Sequence, residues 1–312
     1  MSTVNVGLVG IGNCTSSLVQ GVEYYRDTDY PDCAGFAVRD VAFTAAFDVT
    51  PEKIGTDLSE AIWAAPNNAG AFARVPYLGV PVEEGILGED FGDLAGARGG
   101  RTPDQVADVL RATGTHVVVS FLPVGHQRAT ELYARAALLA GCAFVNCMPA
   151  VLARDPEWAG RFERAGLPLV GDDLKSQFGS TLVHRALVDA LTAGGVRLRN
   201  TYQLNAGGNM DFHAMRDPAR MAGKKATKAQ GMSAEGNVHV GAEYIPFLQD
   251  RKVAFIRLEG EAFGGTSLEI ELRMCVEDSP SAAGNTLDAV RHARRAMLEG
   301  RAGVLDLGLM KA

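Results

Sequence analysis

A chain of 312 residues has room for two domains, or for one large domain carrying an insertion. With 47% hydrophobic and 21% charged residues it has the composition of an ordinary globular protein, which excludes a disordered, collagenous or low-complexity chain. A formal charge of -7 argues against nucleic acid as a partner, because phosphate neutralisation needs a basic face.

Val4 to Val9 is a short apolar run that reads as a buried parallel strand, and Gly10-Ile11-Gly12-Asn13-Cys14-Thr15 follows it. A helical pattern over about Ser16 to Tyr25 puts Leu18, Val22 and Tyr25 on one face. The segment through Asp27, Pro31 and Gly35 reads as loop, and Val41 to Val49 as a second strand with Asp48 near its end. Glycines crowd Val82 to Gln105, which reads as loop. Val117 to Phe121 is a third strand, Gln127 to Ala140 a helix, and Ala143 to Asn146 a fourth strand. A helix over about Pro156 to Ala165 leads to a strand at Leu167 to Val170. Strand and helix alternate, the signature of an α/β chain with a doubly wound parallel sheet. From about Gly179 the texture changes. Thr201 to Asn205, Ala254 to Leu258 and the alternating Leu268 to Val276 read as strands of an α+β second domain, with a polar stretch from Gly207 to Gly241 between the first two. A helix from about Asn285 to Glu299 is placed to pack back on the first domain, which makes the second domain an insertion. The expected boundaries are 1–178, 179–277 and 278–312.

The five cysteines are odd in number and scattered, with no CxxC pair, so reduced thiols are expected. The start carries no charged leader or cleavage pattern, and no apolar stretch reaches the roughly 18 residues that span a bilayer. The cytoplasm is the expected compartment, with no membrane partner.

A strand, a Gly10-Ile11-Gly12 turn and a helix together form the context in which a glycine pair points to a dinucleotide. Gly10 permits a tight turn, Gly12 lets backbone approach a pyrophosphate, and the helix N-terminus offers N–H groups to that anion. Thr15 stands where the usual fingerprint has its third glycine. Asp48 is placed to accept from ribose hydroxyls, although its spacing exceeds the usual about 20 residues. No Arg follows it closely, which favours NAD over NADP. Ser120, Leu122, Pro123, Asn146 and Asp172 fall at later strand ends, where ligands bind in open parallel sheets.

Lysines are scarce and uneven: Lys53 alone in the first half, then Lys175, Lys224, Lys225, Lys228, Lys252 and Lys311. Ammonium groups sharing a pocket would bind a phosphate and depress one another's pKa. Solvated lysines on a Gly-containing loop remain an equal reading of the 224–228 group. His213, near Asn209 and Asp211, is the one histidine that could approach a pocket.

The ordered motifs GLVGIGNCTSSLVQGVEYY, VRDVAFTAAFDV, SFLPVG, FVNCMP, VGDDLKSQ, NAGGNMDF, KKATK, DRKVAFIRLEG, EDSPSAAG and the terminal LMK resemble the myo-inositol-1-phosphate synthases, especially the shorter prokaryotic type. The resemblance covers nearly the whole chain. It implies a Rossmann domain interrupted by a catalytic and tetramerisation domain, a homotetramer, and NAD as cofactor, with a monovalent or divalent cation admitted beside it. The implied chemistry is redox-neutral: C5 of glucose 6-phosphate is oxidised, C6 loses a proton, the enolate closes on the C1 aldehyde, and the ketone is reduced again. By motif, Lys175, Lys228, Lys252 and Lys311 resemble the family's catalytic lysines. Asn209 and Asp211, with Lys224 and Lys225, resemble substrate-binding residues, and Gly10, Gly12, Asn13, Cys14, Asp278 and Ser279 match cofactor-binding segments. Departures lie in the substrate half: HAMRDPARMAG after NMDF, a contraction between Lys228 and Lys252, and AEYIPFLQDRK in place of a more acidic, His-containing version. A paralogue acting on fructose 6-phosphate to give a five-membered cyclitol phosphate therefore stays open. So do a simple NAD-dependent dehydrogenase and an NAD-sensing scaffold.

Overall fold

A computed structural model describes residues 3–28, 30–88, 96–216 and 236–310. The chain divides into two compact units, one made of Met1–Lys175 with Ala282–Ala312, the other of Ser176–Ser281.

The first unit is built on a seven-stranded sheet whose pairings are all parallel. In chain order its strands are β1 (Val4–Val9), β2 (Val41–Asp48), β3 (Val82–Glu84), β4 (Val117–Ser120), β5 (Ala143–Asn146), β6 (Pro168–Val170) and, from the C-terminal segment, the strand Gly303–Val304. Across the sheet the order is β3, β2, β1, β4, β5, β6 and then Gly303–Val304, so the chain reverses direction of travel between β1 and β4. Such central strands are buried on both faces, which is why they read as mostly apolar, Val-rich runs rather than as alternation.

Helices α1 (Asn13–Tyr24) and α2 (Leu58–Ala61) cover one face of this sheet. Leu18, Val19, Val22, Leu58 and Ile62 pack there on Val4, Val6 and Leu8. Leu287, Val290 and Ala293, from the long helix Asp278–Leu298, join the same cluster. Helices α3 (Pro103–Ala112), α4 (Gln127–Ala140) and α5 (Pro156–Arg164) cover the other face through Val106, Leu110, Tyr133, Trp158 and Phe162. The sheet is doubly wound, as the alternation of elements predicts.

Differences from the sequence reading have simple causes. Helix α1 begins at Asn13, directly after Gly12 and three residues earlier than the apolar spacing suggests, because its first turn is polar. The Val82 to Gln105 stretch holds β3 and the start of α3, not loop alone. Thr102 and Gln105 form a reciprocal capping box at α3, a signal masked by the glycines before it. A further difference is in the second unit, where the strand Asn237–Tyr244 begins inside the polar stretch and runs past its end at Gly241.

The second unit carries helix α6 (Ser180–Ala193), strand β7 (Arg197–Gly207), the short helix α7 (Met210–Ala214), β8 (Asn237–Tyr244), β9 (Arg251–Glu261) and β10 (Ser267–Glu277). Its sheet runs β10, β9, β7, β8; β7 and β8 are parallel and the other pairings antiparallel. Val188 and Leu191 of α6 pack on Leu198, Ile256 and Leu258. Strand β8 lies at the edge, half-exposed, so it needs no apolar stripe and shows none. The helix Asp278–Leu298, here α8, follows β10 directly and starts seven residues before the expected Asn285. None of the five cysteines forms a disulfide, and among the described residues no helix is long and apolar enough to cross a membrane.

Candidate active site

At the carboxyl ends of β1, β2 and β4 the first unit forms a turn suited to an anion. Gly10 has φ +83°, a conformation L side chains rarely adopt, and a Cβ there would lie 3.0 Å from the Phe121 carbonyl oxygen. Gly12 caps α1 with no side-chain acceptor, and a Cβ built on it meets nothing within 4 Å. The backbone at Gly12 therefore stands clear where a pyrophosphate would approach a helix N-terminus. Thr15, in place of the third glycine, turns its hydroxyl back to the Gly10 carbonyl at 2.6 Å and closes the turn from inside.

Asp48 is buried and accepts from the N–H groups of Ile11 at 2.6 Å and of Val49 and Thr50 at 2.8 Å each. An ionised carboxylate has about four acceptor sites, so about one remains for a ribose hydroxyl. Ser120 is paired in register with Val9, at the reversal point of the sheet; it is fully buried and its Oγ has no partner among the described residues. An orphaned hydroxyl beside an open glycine turn fits a dinucleotide. Leu122 is buried and Pro123 exposed just beyond it, and Cys14 is half-buried in the first turn of α1. Asn13 and Asn68 exchange hydrogen bonds, Asn13 Nδ2 to Asn68 Oδ1 at 2.6 Å and Asn68 N–H to Asn13 Oδ1 at 2.8 Å.

Asn146 and Asp172 are brought together, but chiefly to shape a loop. Asn146 Nδ2 donates to Asp172 Oδ1 at 2.8 Å and to the Ala150 carbonyl at 2.6 Å. Asp172 also accepts from the N–H groups of Leu152 and Ala153, at 3.0 and 3.1 Å. Burial pushes the neighbouring Cys147 thiol up to about 12, so no thiolate nucleophile forms there at neutral pH. Lys175 is exposed; its Nζ donates to the Gly308 carbonyl at 3.1 Å, and its own N–H to the Leu309 carbonyl at 2.9 Å.

In the second unit the motif residues converge through side chains. Asn209 caps α7, its Oδ1 accepting from the N–H groups of Asp211 and Phe212. Its Nδ2 donates to Asp250 Oδ1 at 3.1 Å and to Asp278 Oδ2 at 3.4 Å. Lys252 Nζ donates to Asp278 Oδ1 at 3.1 Å and lies 5.9 Å from the centre of the Phe212 ring. Asp250, only 1% exposed, accepts from Ser279 N–H at 3.1 Å and Ser279 Oγ at 2.7 Å. Asp211 is half-buried in the same turn, and His213 meets Tyr244 edge-on at 5.1 Å. The paired glycines before Asn209 permit this packing: a Cβ on Gly207 would strike the Phe212 ring, and one on Gly208 would lie 2.6 Å from Gln249 N and the Ile245 carbonyl.

Lys224, Lys225, Lys228 and Lys311 lie outside the described residues. Among the described residues, no group of three or more His, Cys, Asp or Glu could hold a metal ion. Two buried residues escaped the sequence reading as site members. Asp250 sat in view, in the DRK motif beside Lys252. Lys53 was marked only as the lone lysine of the first half, and it reaches the glycine turn, its Nζ 2.7 Å from the Ile11 carbonyl.

Comparison with known proteins identifies the family. The family model described as myo-inositol-1-phosphate synthase matches residues 179–279. The inositol-3-phosphate synthase of Corynebacterium glutamicum is 43% identical over 327 residues, covering 97% of this chain and 90% of that protein. That of Mycolicibacterium smegmatis is likewise 43% identical, over 97% and 90%. Among solved structures, that of Ari2 superposes with a TM-score of 0.88 at 36% identity, covering 99% of this chain and 92% of the other. A myo-inositol-1-phosphate synthase-related protein from Thermotoga maritima shares the fold, with a TM-score of 0.80 at 24% identity over 97% and 90%. With relatives this similar along almost its full length, the chain belongs to the myo-inositol-1-phosphate synthase family of isomerases.

Proposed function

We propose that this enzyme carries out the NAD-dependent, redox-neutral cyclisation of a hexose 6-phosphate to a cyclitol phosphate, with glucose 6-phosphate to 1L-myo-inositol 1-phosphate as its reaction. NAD, when bound, supplies the oxidation at C5 and returns the hydride after ring closure. In this reading residues 1–178 bind the dinucleotide, residues 179–277 carry catalysis and tetramer contacts, and residues 278–312 return to the first domain. Gly10, Gly12, Asn13 and Cys14 receive the pyrophosphate, Asp48 the ribose, and Ser120, Leu122, Pro123, Asn146 and Asp172 line the strand ends. Asp278 and Ser279 belong, by their motif, to the segment assigned to the nicotinamide.

The observation that carries the reading is the Lys252–Asp278 pair, fixed by Asn209 and Asp250. A half-buried ammonium paired with a carboxylate brings positive charge and an exchangeable proton to this cluster, the two properties that stabilising an oxyanion and moving a proton require. By their motifs, Lys175, Lys228 and Lys311 are the other lysines assigned to binding phosphate and stabilising enolate and alkoxide charge. Lys224 and Lys225 support the phosphate, and Asn209 and Asp211 orient the sugar.

A second reading, fructose 6-phosphate to a five-membered cyclitol phosphate, is favoured by one observation. The IPFLQ segment, where the chain departs from the family pattern, is pinned to the glycines preceding Asn209: Ile245 N–H donates to the Gly207 carbonyl at 2.8 Å, and Gly208 N–H to the Gln249 carbonyl at 3.0 Å. Incubation with NAD⁺ and each ¹³C-labelled hexose phosphate, followed by NMR of the product ring, separates the two. A cyclase gives product without lasting NADH absorbance, whereas a simple dehydrogenase accumulates NADH. Conversion of neither sugar removes the cyclase reading.

A further inference from the structure

The glycine turn is clamped on both peptide units that flank Ile11. The Gly10–Ile11 unit is held at its carbonyl by Thr15 Oγ and at its N–H by Asp48. The Ile11–Gly12 unit is held at its carbonyl by two donors, Lys53 Nζ at 2.7 Å and Asn67 Nδ2 at 3.0 Å. Lys53 is 2% exposed, lies 4.0 Å from Asp48 Oδ2 and donates a further hydrogen bond to Asn67 Oδ1 at 3.1 Å. Asn67 is in turn fixed by the Ile62 carbonyl at 2.9 Å. The following residues run along α1 on amide side chains: Asn68 on Asn13, and Phe72 and Ala73 N–H on Gln20 Oε1.

An ammonium is an expensive group to bury for a loop contact that a neutral amide already makes. Its position gives it a second effect. The carbonyl it holds shares a peptide unit with the Gly12 N–H, so a cation on the oxygen polarises that N–H as a donor and fixes its direction. It also sets a positive charge behind a turn that faces an anion. We propose that Lys53, seated by Asp48 and Asn67, is a positioning residue for the dinucleotide: it holds and polarises the Ile11–Gly12 peptide toward the pyrophosphate. This rests on the reading that a dinucleotide binds at the turn. Burial, opposed by Asp48 and then Glu52, holds the Lys53 ammonium below its ordinary 10.5.

Titration calorimetry of NAD⁺ on the full chain tests this, with Gly12→Val as the check on the underlying reading. Wild type binds and Gly12→Val does not, while Lys53→Met weakens Kd about tenfold. Wild-type affinity falls as pH rises through the Lys53 titration, below 10.5, and Lys53→Met loses that fall. A lysine that merely stabilised the loop would lower Tm and leave the pH profile of binding unchanged. Asn67→Ala, a milder variant that folds if Lys53→Met does not, weakens Kd a few-fold, on the order of one neutral hydrogen bond. Wild-type Kd and pH profile in Lys53→Met, or wild-type Kd in Asn67→Ala, with binding abolished in Gly12→Val, overturns the role of Lys53. Binding undisturbed by Gly12→Val overturns the dinucleotide reading itself, and the role of Lys53 with it.

Discussion

The two units use their buried and half-buried carboxylates differently. In the first, Asp48 and Asp172 accept mainly from backbone N–H groups and so shape the loops at the strand ends. In the second, Asp250 and Asp278 meet side chains, Asn209, Ser279 and Lys252, and so fix the orientation of polar side chains. The lesson is that an acid at a strand end is not automatically a ligand-binding acid. In the first unit these carboxylates hold backbone in place. In the second they hold side chains.

This contrast breaks most sharply at Lys252. Lys252→Met is expected to lower kcat about 10²- to 10⁴-fold, the range for a lost general acid or base, with Kd for NAD⁺ unchanged. Turnover followed by NMR and binding followed by calorimetry check both halves, and a weakened Kd would tie Lys252 to the cofactor instead. Next in size is Asp172→Ala, which strands several buried donors and is expected to cost about 3 kcal/mol in urea denaturation. An unchanged midpoint would mean that the 150–154 loop does not need its carboxylate. The glycine pair sharpens the contrast further. Gly10→Ala, strained by its positive φ and the Phe121 carbonyl, is expected to cost about 1–3 kcal/mol. Gly12→Ala, with open space around its Cβ, leaves Tm alone but weakens NAD⁺.

The smallest effect concerns His184, a buried ring between Thr201 Oγ at 2.6 Å and Gln203 Oε1 at 3.4 Å. Burial holds it below its ordinary 6.5, so the folded state favours neutral imidazole. Its contribution is complete above 6.5 and is lost as pH falls through the folded value, with a slope of at most about 1.4 kcal/mol per pH unit. His184→Gln should flatten the decline of stability in that acid window; an unaltered curve would assign the decline to other groups.

Much of the first unit was legible because buried parallel strands are near-continuous apolar runs bounded by Gly, Pro and Asp. Helix α4 from Gln127 to Ala140 is read to the residue, since it ends at Gly141 in the left-handed conformation. Strand β8 was not legible, because a half-exposed edge strand leaves no periodic stripe. The roles of polar residues were the least legible. Asp48 and Asp250 are both acids near a strand terminus, and nothing in their immediate neighbours says which one accepts from backbone and which from side chains.

By itself, the order of residues determined the alternation of strand and helix, the tight turn at Gly10 and the family motifs, because each depends on local periodicity, sterics or spacing. Tertiary structure alone decided that Lys53 reaches Ile11 across 42 positions, that Asp250 gathers Asn209 and Ser279, and that the Ser120 hydroxyl has no partner among the described residues. A hydrogen bond needs its donor and acceptor within about 3 Å. For groups this far apart along the chain, only the packed sheets and helices bring them to that distance.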